Sequence, residues 1–416
     1  MTVCALYGLK GTGKTTLMFQ AIETLIEQGV ELDKICYFSG LTRDLFIDVV
    51  DYVSYHHLLE YVFIDEIGAF DLFLNNQRDP FHTWADRNKK VVIASSHLLS
   101  LYFAYNTELS GISTIVRIPH LSFYEHCHFV LDTENPSEDD FSSYLQTGGL
   151  FEPPVDTAQY VQENIVNKIL DLLKSETIYF RLQPLAPWFR SVAFETDWSS
   201  YINTILAMSN SQISNETFKN LEAFPDNPQT YSEYDSRMVI KEFREYFKLV
   251  APYRQHVRPK KSVTVELLDF LLHCGIIAIL PDFNRNEPCR CYVQAPFLRY
   301  HFTGRLLATL GDESAITKSS LLKAAIVSEY QLGNPGIQTY YAYVPYKGDP
   351  DEHEIVLLVF KKDVGYALKE ANDSSSLEFE RIGPLLKFRD YRFELLETVD
   401  CMNYIYQWGK NLYINQ

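Results

Sequence analysis

At 416 residues, with 46% apolar and 22% charged side chains, the chain has material for more than one folded core. Its 54 acidic residues against 37 basic ones give a formal net charge of −17, which excludes a broadly basic, nucleic-acid-coating surface and leaves room only for a local basic patch. Charges interrupt every apolar run before it reaches membrane-spanning length. The seven cysteines, odd in number and scattered, fit reduced thiols in a cytosol.

The first predicted element is a buried strand, Val3-Cys4-Ala5-Leu6-Tyr7, so the N-terminus reads as core and not as a signal peptide. Gly8-Leu9-Lys10-Gly11-Thr12-Gly13-Lys14-Thr15 follows at once, with the Gly, four residues, Gly-Lys-Thr spacing of a phosphate-binding P-loop. An amphipathic run from Thr16 to Ile26 then predicts a helix. Strand, glycine loop and helix in that order is the context this motif needs. Glycines let backbone N–H groups close around phosphates, and the helix N-terminus adds free donors and partial positive charge. Gly8, Lys10, Gly11, Thr12, Gly13, Lys14, Thr15 and Thr16 are the candidate nucleotide-binding residues. Lys14 is placed to reach the β- and γ-phosphates and Thr15 to hold Mg²⁺.

Gly29 marks a helix stop, Ile35–Ser39 a second strand, and Leu45–Val53 a helix weakened by β-branched residues. Tyr61-Val62-Phe63-Ile64-Asp65-Glu66 is an apolar strand ending in two acids, a Walker B pattern. Asp65 is the candidate Mg²⁺ ligand, directly or through water, and Glu66 the candidate general base. Without the P-loop the pair would read as a buried strand with a solvated end; with it, both motifs serve one ion. Residues 75–90 read as a helix and turn. Val91–His97 is another central strand, capped by the hydroxyls of Ser95 and Ser96. One of these serines is the candidate sensor of the γ-phosphate, the alternative being that Ser96 caps a helix starting near Leu98. Strand and helix alternation predicts a mostly parallel sheet with helices on both faces.

Residues 108–152 add two further pieces: Leu121-Ser122-Phe123-Tyr124-Glu125, and Tyr144-Leu145 followed by Gly148-Gly149. With the P-loop, the Ile64-Asp65-Glu66-Ile67 segment and the Ser95-Ser96 strand, these make five motifs in order. Over roughly its first 155 residues the chain resembles the prokaryotic predicted AAA+-superfamily ATPases whose C-terminal half is a domain of unknown function. The resemblance implies an α/β P-loop fold, ATP and Mg²⁺ as cofactors, and hydrolysis, with Glu66 and Lys14 as the catalytic pair. One position departs from the pattern: the family often carries Arg directly after the glycine that Gly111 matches, and here Ile112 stands there. Arg117 is the candidate substitute arginine finger.

His126-Cys127-His128 reads as part of a strand, where alternate residues face opposite ways, so it is not taken as a metal site. Asn135–Asp140 is a turn and helix start, and the paired prolines at 153 and 154 mark a boundary. Helical periodicity returns in Tyr160–Leu173 and over 197–247. Arg254–Lys261 is the densest basic run; Arg258, Lys260 and Lys261 are candidate nucleic-acid contacts, against the alternative of a solvated loop or a contact to the acidic remainder. Residues 263–293 read as a helix, a strand ending at Leu280 and a return strand Arg290–Val293, which the resemblance makes a winged-helix-like element. Helix Leu321–Gln331 and strands Gln338–Pro345 and Glu354–Phe360 follow; the resemblance makes this part restriction-nuclease-like. Glu329 and Glu354 stand at acidic positions, but Glu354-Ile355-Val356 replaces a second acid, so no nuclease activity is expected.

The expected fold is thus α/β: a P-loop NTPase (AAA+-like) parallel sheet over 1–152, a helical and winged-helix-like region over 153–300, and a degenerate nuclease-like α+β domain over 301–416. The expected function is ATP binding with Mg²⁺-dependent hydrolysis that drives or switches a conformational change controlling partner engagement. The alternatives are a nucleotide-held switch or scaffold with little turnover, and a DNA-binding or DNA-processing ATPase. Expected partners are ATP and a protein or further copies of the chain, in the cytoplasm, with no membrane.

Overall fold

The computed structural model describes residues 2–40, 43–67, 80–96, 109, 111–152, 155–167, 271, 276–280, 290–301, 325–329, 332, 338–346, 349–361, 364–370, 392–398 and 401–414. The chain divides into two compact units. The first comprises Met1–His120 and Leu150–Ala186, the second Leu121–Gly149 and Pro187–Gln416.

In the first unit, β1 (Val3–Tyr7), β2 (Ile35–Ser39), β3 (Tyr61–Asp65), β4 (Lys90–Ser95) and β5 (Ser113–Arg117) form one sheet in the order β2-β3-β4-β1-β5. Every pairing is parallel. Parallel neighbours need long crossovers, and helices α1 (Lys14–Glu27), α2 (Arg43–Tyr55) and α3 (Pro80–Asp86) lie in three of them. The period of two along each strand divides the core between the two faces. Val62 and Ile64 join Phe46, Val49 and Val53 of α2 and Phe81 and Trp84 of α3 on one face. Phe63, between them in sequence, joins Leu6, Ala94 and Met18 of α1 on the other. Four of the strands match the sequence reading; β5 is an addition, and it carries Arg117 at its end.

Because all five strands run the same way, their C-terminal ends share one edge. Register sets Tyr7 opposite both Ser95 and Arg117, and Ser39 opposite Asp65. Residues 155–167 add α6 (Thr157–Val161), capped by Asp156, which accepts from the Gln159 N–H at 3.0 Å, and a π-helical turn over Gln162–Val166.

The second unit contains α4 (Phe123–Phe129) and α5 (Glu138–Thr147), each opened by a capping box, Ser122 with Glu125 and Ser137 with Asp140. His126-Cys127-His128 therefore lies on a helix, and the strand reading of it is corrected. The reason is local: the Ser122 hydroxyl and the Glu125 carboxylate satisfy the first free N–H groups of a helix. Strands β6 (Ile277–Leu280) and β7 (Arg290–Val293) pair antiparallel. A second sheet has the order β11-β10-β9-β8, from β8 (Gln338–Tyr346), β9 (Asp349–Lys361), β10 (Val364–Glu370) and β11 (Arg392–Thr398), with only β10 and β11 parallel. Helix α7 (Cys401–Ile414) contributes Ile405 and Tyr406 to a core with Phe123, Phe141, Tyr144, Leu280 and Tyr292. Strands β10 and β11 and helix α7 add to the elements expected from sequence. Among the described residues no helix is long and apolar enough to cross a membrane.

Candidate functional site

The glycine loop turns from the end of β1 into α1. Two of its glycines are obligatory for different reasons. A Cβ on Gly8 would collide with the Ile118 carbonyl oxygen, just past β5. Gly13, the residue before α1, holds φ at +92°, the left-handed region that other residues avoid, and packs against the Phe151 ring. Thr12, almost fully buried, donates from its hydroxyl to Leu9 O at 2.9 Å. Lys14 is 4% exposed and is folded over the loop, its Nζ donating to Gly8 O at 3.1 Å and Leu9 O at 2.8 Å.

The acids of β3 meet this loop. The Thr15 hydroxyl, in the first turn of α1, donates to Asp65 Oδ2 at 2.7 Å. Tyr37 on β2 donates to the same oxygen at 2.9 Å, and the Glu66 N–H donates to Oδ1 at 3.0 Å. Asp65 is only 3% exposed, and its three donors are all neutral. Burial, then the hydrogen bond to Asp65, push the Tyr37 hydroxyl up to about 12. Glu66 sits at φ +54°, a left-handed backbone uncommon for a residue with a side chain. Ser96 donates to Glu66 Oε1 at 2.6 Å, a short hydrogen bond. Its neighbour Ser95, fully buried, donates instead to Ile67 O at 2.7 Å. The two serines are thus sorted: Ser96 meets the acid, and Ser95 holds the backbone beyond it.

The segment after residue 149 closes on the same loop. The Phe151 N–H donates to Gly11 O at 3.1 Å, Leu150 lies against Gly11, and the Tyr160 hydroxyl donates to Lys10 O at 2.7 Å. Burial raises the Tyr160 phenol well above its usual range, and the Glu66 charge adds to this. Thr16 is exposed on α1, while Arg117 stands at the end of edge strand β5, level with Tyr7. Arg258, Lys260 and Lys261 lie outside the described residues.

Sequence reasoning found the loop, the acids and the serines. It missed Tyr37, Tyr160 and Phe151, whose contacts join residues 28, 150 and 140 positions apart. The Gly148-Gly149-Leu150-Phe151 motif was the one signal available, but it does not name the loop as its partner.

The Thr15 hydroxyl and the Asp65 carboxylate, held together by this hydrogen bond, fit Mg²⁺, a hard cation that prefers oxygen and keeps several waters, so two protein groups suffice alongside phosphates. Among the described residues no group of three or more His, Cys, Asp or Glu side chains is placed to hold a metal ion.

A comparison with curated proteins returns no match. Similar solved structures include the S. cerevisiae Hsp104–ADP complex, at 15% identity and TM-score 0.25, covering 80% of this chain and 46% of that one. The chain therefore spans less than half the length of that Hsp104 chain. They also include Drosophila ORC bound to DNA, at 12% identity and TM-score 0.23, covering 74% of this chain and 90% of that one. Residues 1–127, which carry the loop, the paired acids and the parallel sheet, match the family model described as an AAA domain.

Proposed function

We propose that the first unit binds ATP with Mg²⁺ and hydrolyses it, and that this turnover drives or switches a conformational change controlling how the rest of the chain engages a partner. The observation that carries the reading is the 2.7 Å hydrogen bond from Thr15 to Asp65, which joins the two motifs across 50 residues at the metal-facing point of the site. The match of residues 1–127 to an AAA domain supports ATP as the nucleotide.

The loop from Gly8 to Thr16 wraps the phosphates with backbone N–H groups. Lys14 supplies the charge at the β- and γ-phosphates, moving from the carbonyls of Gly8 and Leu9 that it now contacts. Thr15 and Asp65 would hold Mg²⁺, which, when bound, neutralises charge on the phosphate oxygens. Glu66 takes the proton of the attacking water, and Ser96 orients it through Oε1. Ser96, rather than Ser95, is the sensor in this reading, because Ser95 is committed to Ile67.

Beyond residue 152 we read a non-catalytic remainder, winged-helix-like over 153–300 and degenerate nuclease-like over 301–416. The β6–β7 hairpin and the second sheet support that reading. Glu329, one of its acidic positions, is buried and accepts hydrogen bonds from the Phe123 N–H and the Tyr144 hydroxyl. A net charge of −17 argues against nucleic acid as the main partner. A protein or a further copy of the chain fits better, with Arg117 serving a neighbouring site, and scattered thiols fit the cytoplasm.

The test is Mg²⁺-dependent phosphate release from wild type and Glu66→Gln. Loss of a positioned base predicts a fall of about 10²–10⁴-fold with ATP binding kept. A second reading, a nucleotide-held switch with little turnover, is favoured by Ile112 standing where the resembled family often carries arginine. ATP binding without measurable phosphate release in wild type would select it.

A further inference from the structure

Tyr37 lies on β2, separated from the glycine loop's own strand β1 by β3 and β4, yet its hydroxyl reaches the acid at the centre of the site. Register explains the reach: Phe38 pairs with Ile64 and Ser39 with Asp65, so Tyr37 sits two residues below the level of the acid. Its ring packs against Phe19, with centroids 4.9 Å apart. Phe19 is four residues after Thr15 on α1 and therefore shares its helix face. Tyr37 thus lies along the face of α1 that carries Thr15, and the two hydroxyls arrive at one oxygen.

A carboxylate has about four lone-pair directions. At Asp65, Thr15 at 2.7 Å and Tyr37 at 2.9 Å occupy Oδ2, and the Glu66 N–H at 3.0 Å occupies one direction of Oδ1. Among the described residues, one direction, on Oδ1, is left.

We propose that Tyr37 is a positioning residue for the metal-facing end of the site: together with Thr15 it saturates Asp65 Oδ2, so that the acid meets the Mg²⁺ ion or one of its waters through Oδ1 alone. The inference rests on the ATP and Mg²⁺ reading above. It makes Tyr37 responsible for how the metal is held and not for how the phosphates are held.

The test is equilibrium binding of a fluorescent ATP analogue to the full chain, titrated with Mg²⁺ and repeated in excess EDTA. Tyr37→Phe keeps the ring and its packing on Phe19, so the fold is retained. Groups that orient a metal ligand typically contribute 10- to 100-fold in metal affinity. Tyr37→Phe is therefore expected to raise the Mg²⁺ concentration at half-effect about tenfold, while affinity in EDTA stays within about twofold. Asp65→Asn should abolish most of the Mg²⁺ dependence, and adding Tyr37→Phe to it should change nothing further, since both act through one carboxylate. A Tyr37→Phe variant with wild-type Mg²⁺ dependence would overturn the inference, as would an equal effect of Tyr37→Phe in the Asp65→Asn background. Failure of the wild type to bind the analogue at all would overturn the ATP reading itself, a result distinct from either.

Discussion

Asp65 and Glu329 are both carboxylates withdrawn from water, at 3% and 2% exposure, and they are held in opposite ways. Asp65, in the first unit, has donors on both oxygens: two hydroxyls on Oδ2 and a backbone N–H on Oδ1. Glu329, in the second, receives the Phe123 N–H at 2.9 Å and the Tyr144 hydroxyl at 2.7 Å on the single atom Oε1. Its Oε2 is buried with no hydrogen-bond partner among the described residues. Burial pushes Glu329 up to about 7, and its donors only partly offset this. The buried Arg299 donates to the carbonyls of Val293 and Gln294 and is itself lowered to about 10 by burial. An acid surrounded by donors at the edge of a parallel sheet is arranged to meet a ligand. An acid with one bare oxygen in an aromatic core is arranged to hold a helix start, here that of α4.

The comparison predicts that changes in the first cluster alter turnover and changes in the second alter stability. The largest effect is expected for Glu66→Gln, which should lower the ATPase rate by about 10²–10⁴-fold and leave the unfolding midpoint in urea nearly unchanged. Next, Glu329→Ala should destabilise the second unit by about 3 kcal/mol, because the buried Phe123 N–H loses its acceptor and a cavity opens. ATP binding should persist in that variant; its loss would show the two clusters to be one.

The pH dependence of stability sharpens the contrast. Glu329 is raised from 4.5 to about 7 in the folded chain, so between those values the folded state holds a proton that the unfolded state has released. Its contribution is fully present below about pH 4.5 and is lost as pH rises through 7, a change of roughly 3 kcal/mol. Urea unfolding of wild type and Glu329→Gln across pH 4.5–8 should show wild type losing that amount relative to the variant. Parallel curves would contradict the assignment. The smallest effects separate the two serines. Ser96→Ala should lower turnover about tenfold with stability kept, since it touches Glu66. Ser95→Ala should cost about 1 kcal/mol of stability, since it touches the Ile67 carbonyl.

What could be read from sequence divides along the same line as what is local. The glycine loop, Asp65-Glu66 and Ser95-Ser96 are contiguous, and β1 to β4 are apolar runs with turn residues after them, so composition and spacing reveal them. Strand β5 is short and alternates between buried and exposed residues, with Thr114 and Val116 facing out, so it lacks the continuous apolar run of a central strand. The helix over His126-Cys127-His128 had a local signal, the capping box from Ser122 to Glu125, which outweighs the alternation read further along. Tyr37 and Tyr160 had none, and Glu329 stood out only as an acid: each acts through hydrogen bonds to residues far away in sequence, and tertiary packing alone decides such partners.

Calorimetric titration of ATP with Mg²⁺ into wild type and Lys14→Ala tests the central claim most directly. Wild type should bind saturably at one site, and removing the lysine charge at the phosphates should weaken binding about 100-fold. Equal binding by Lys14→Ala, or no binding by wild type, would contradict the account.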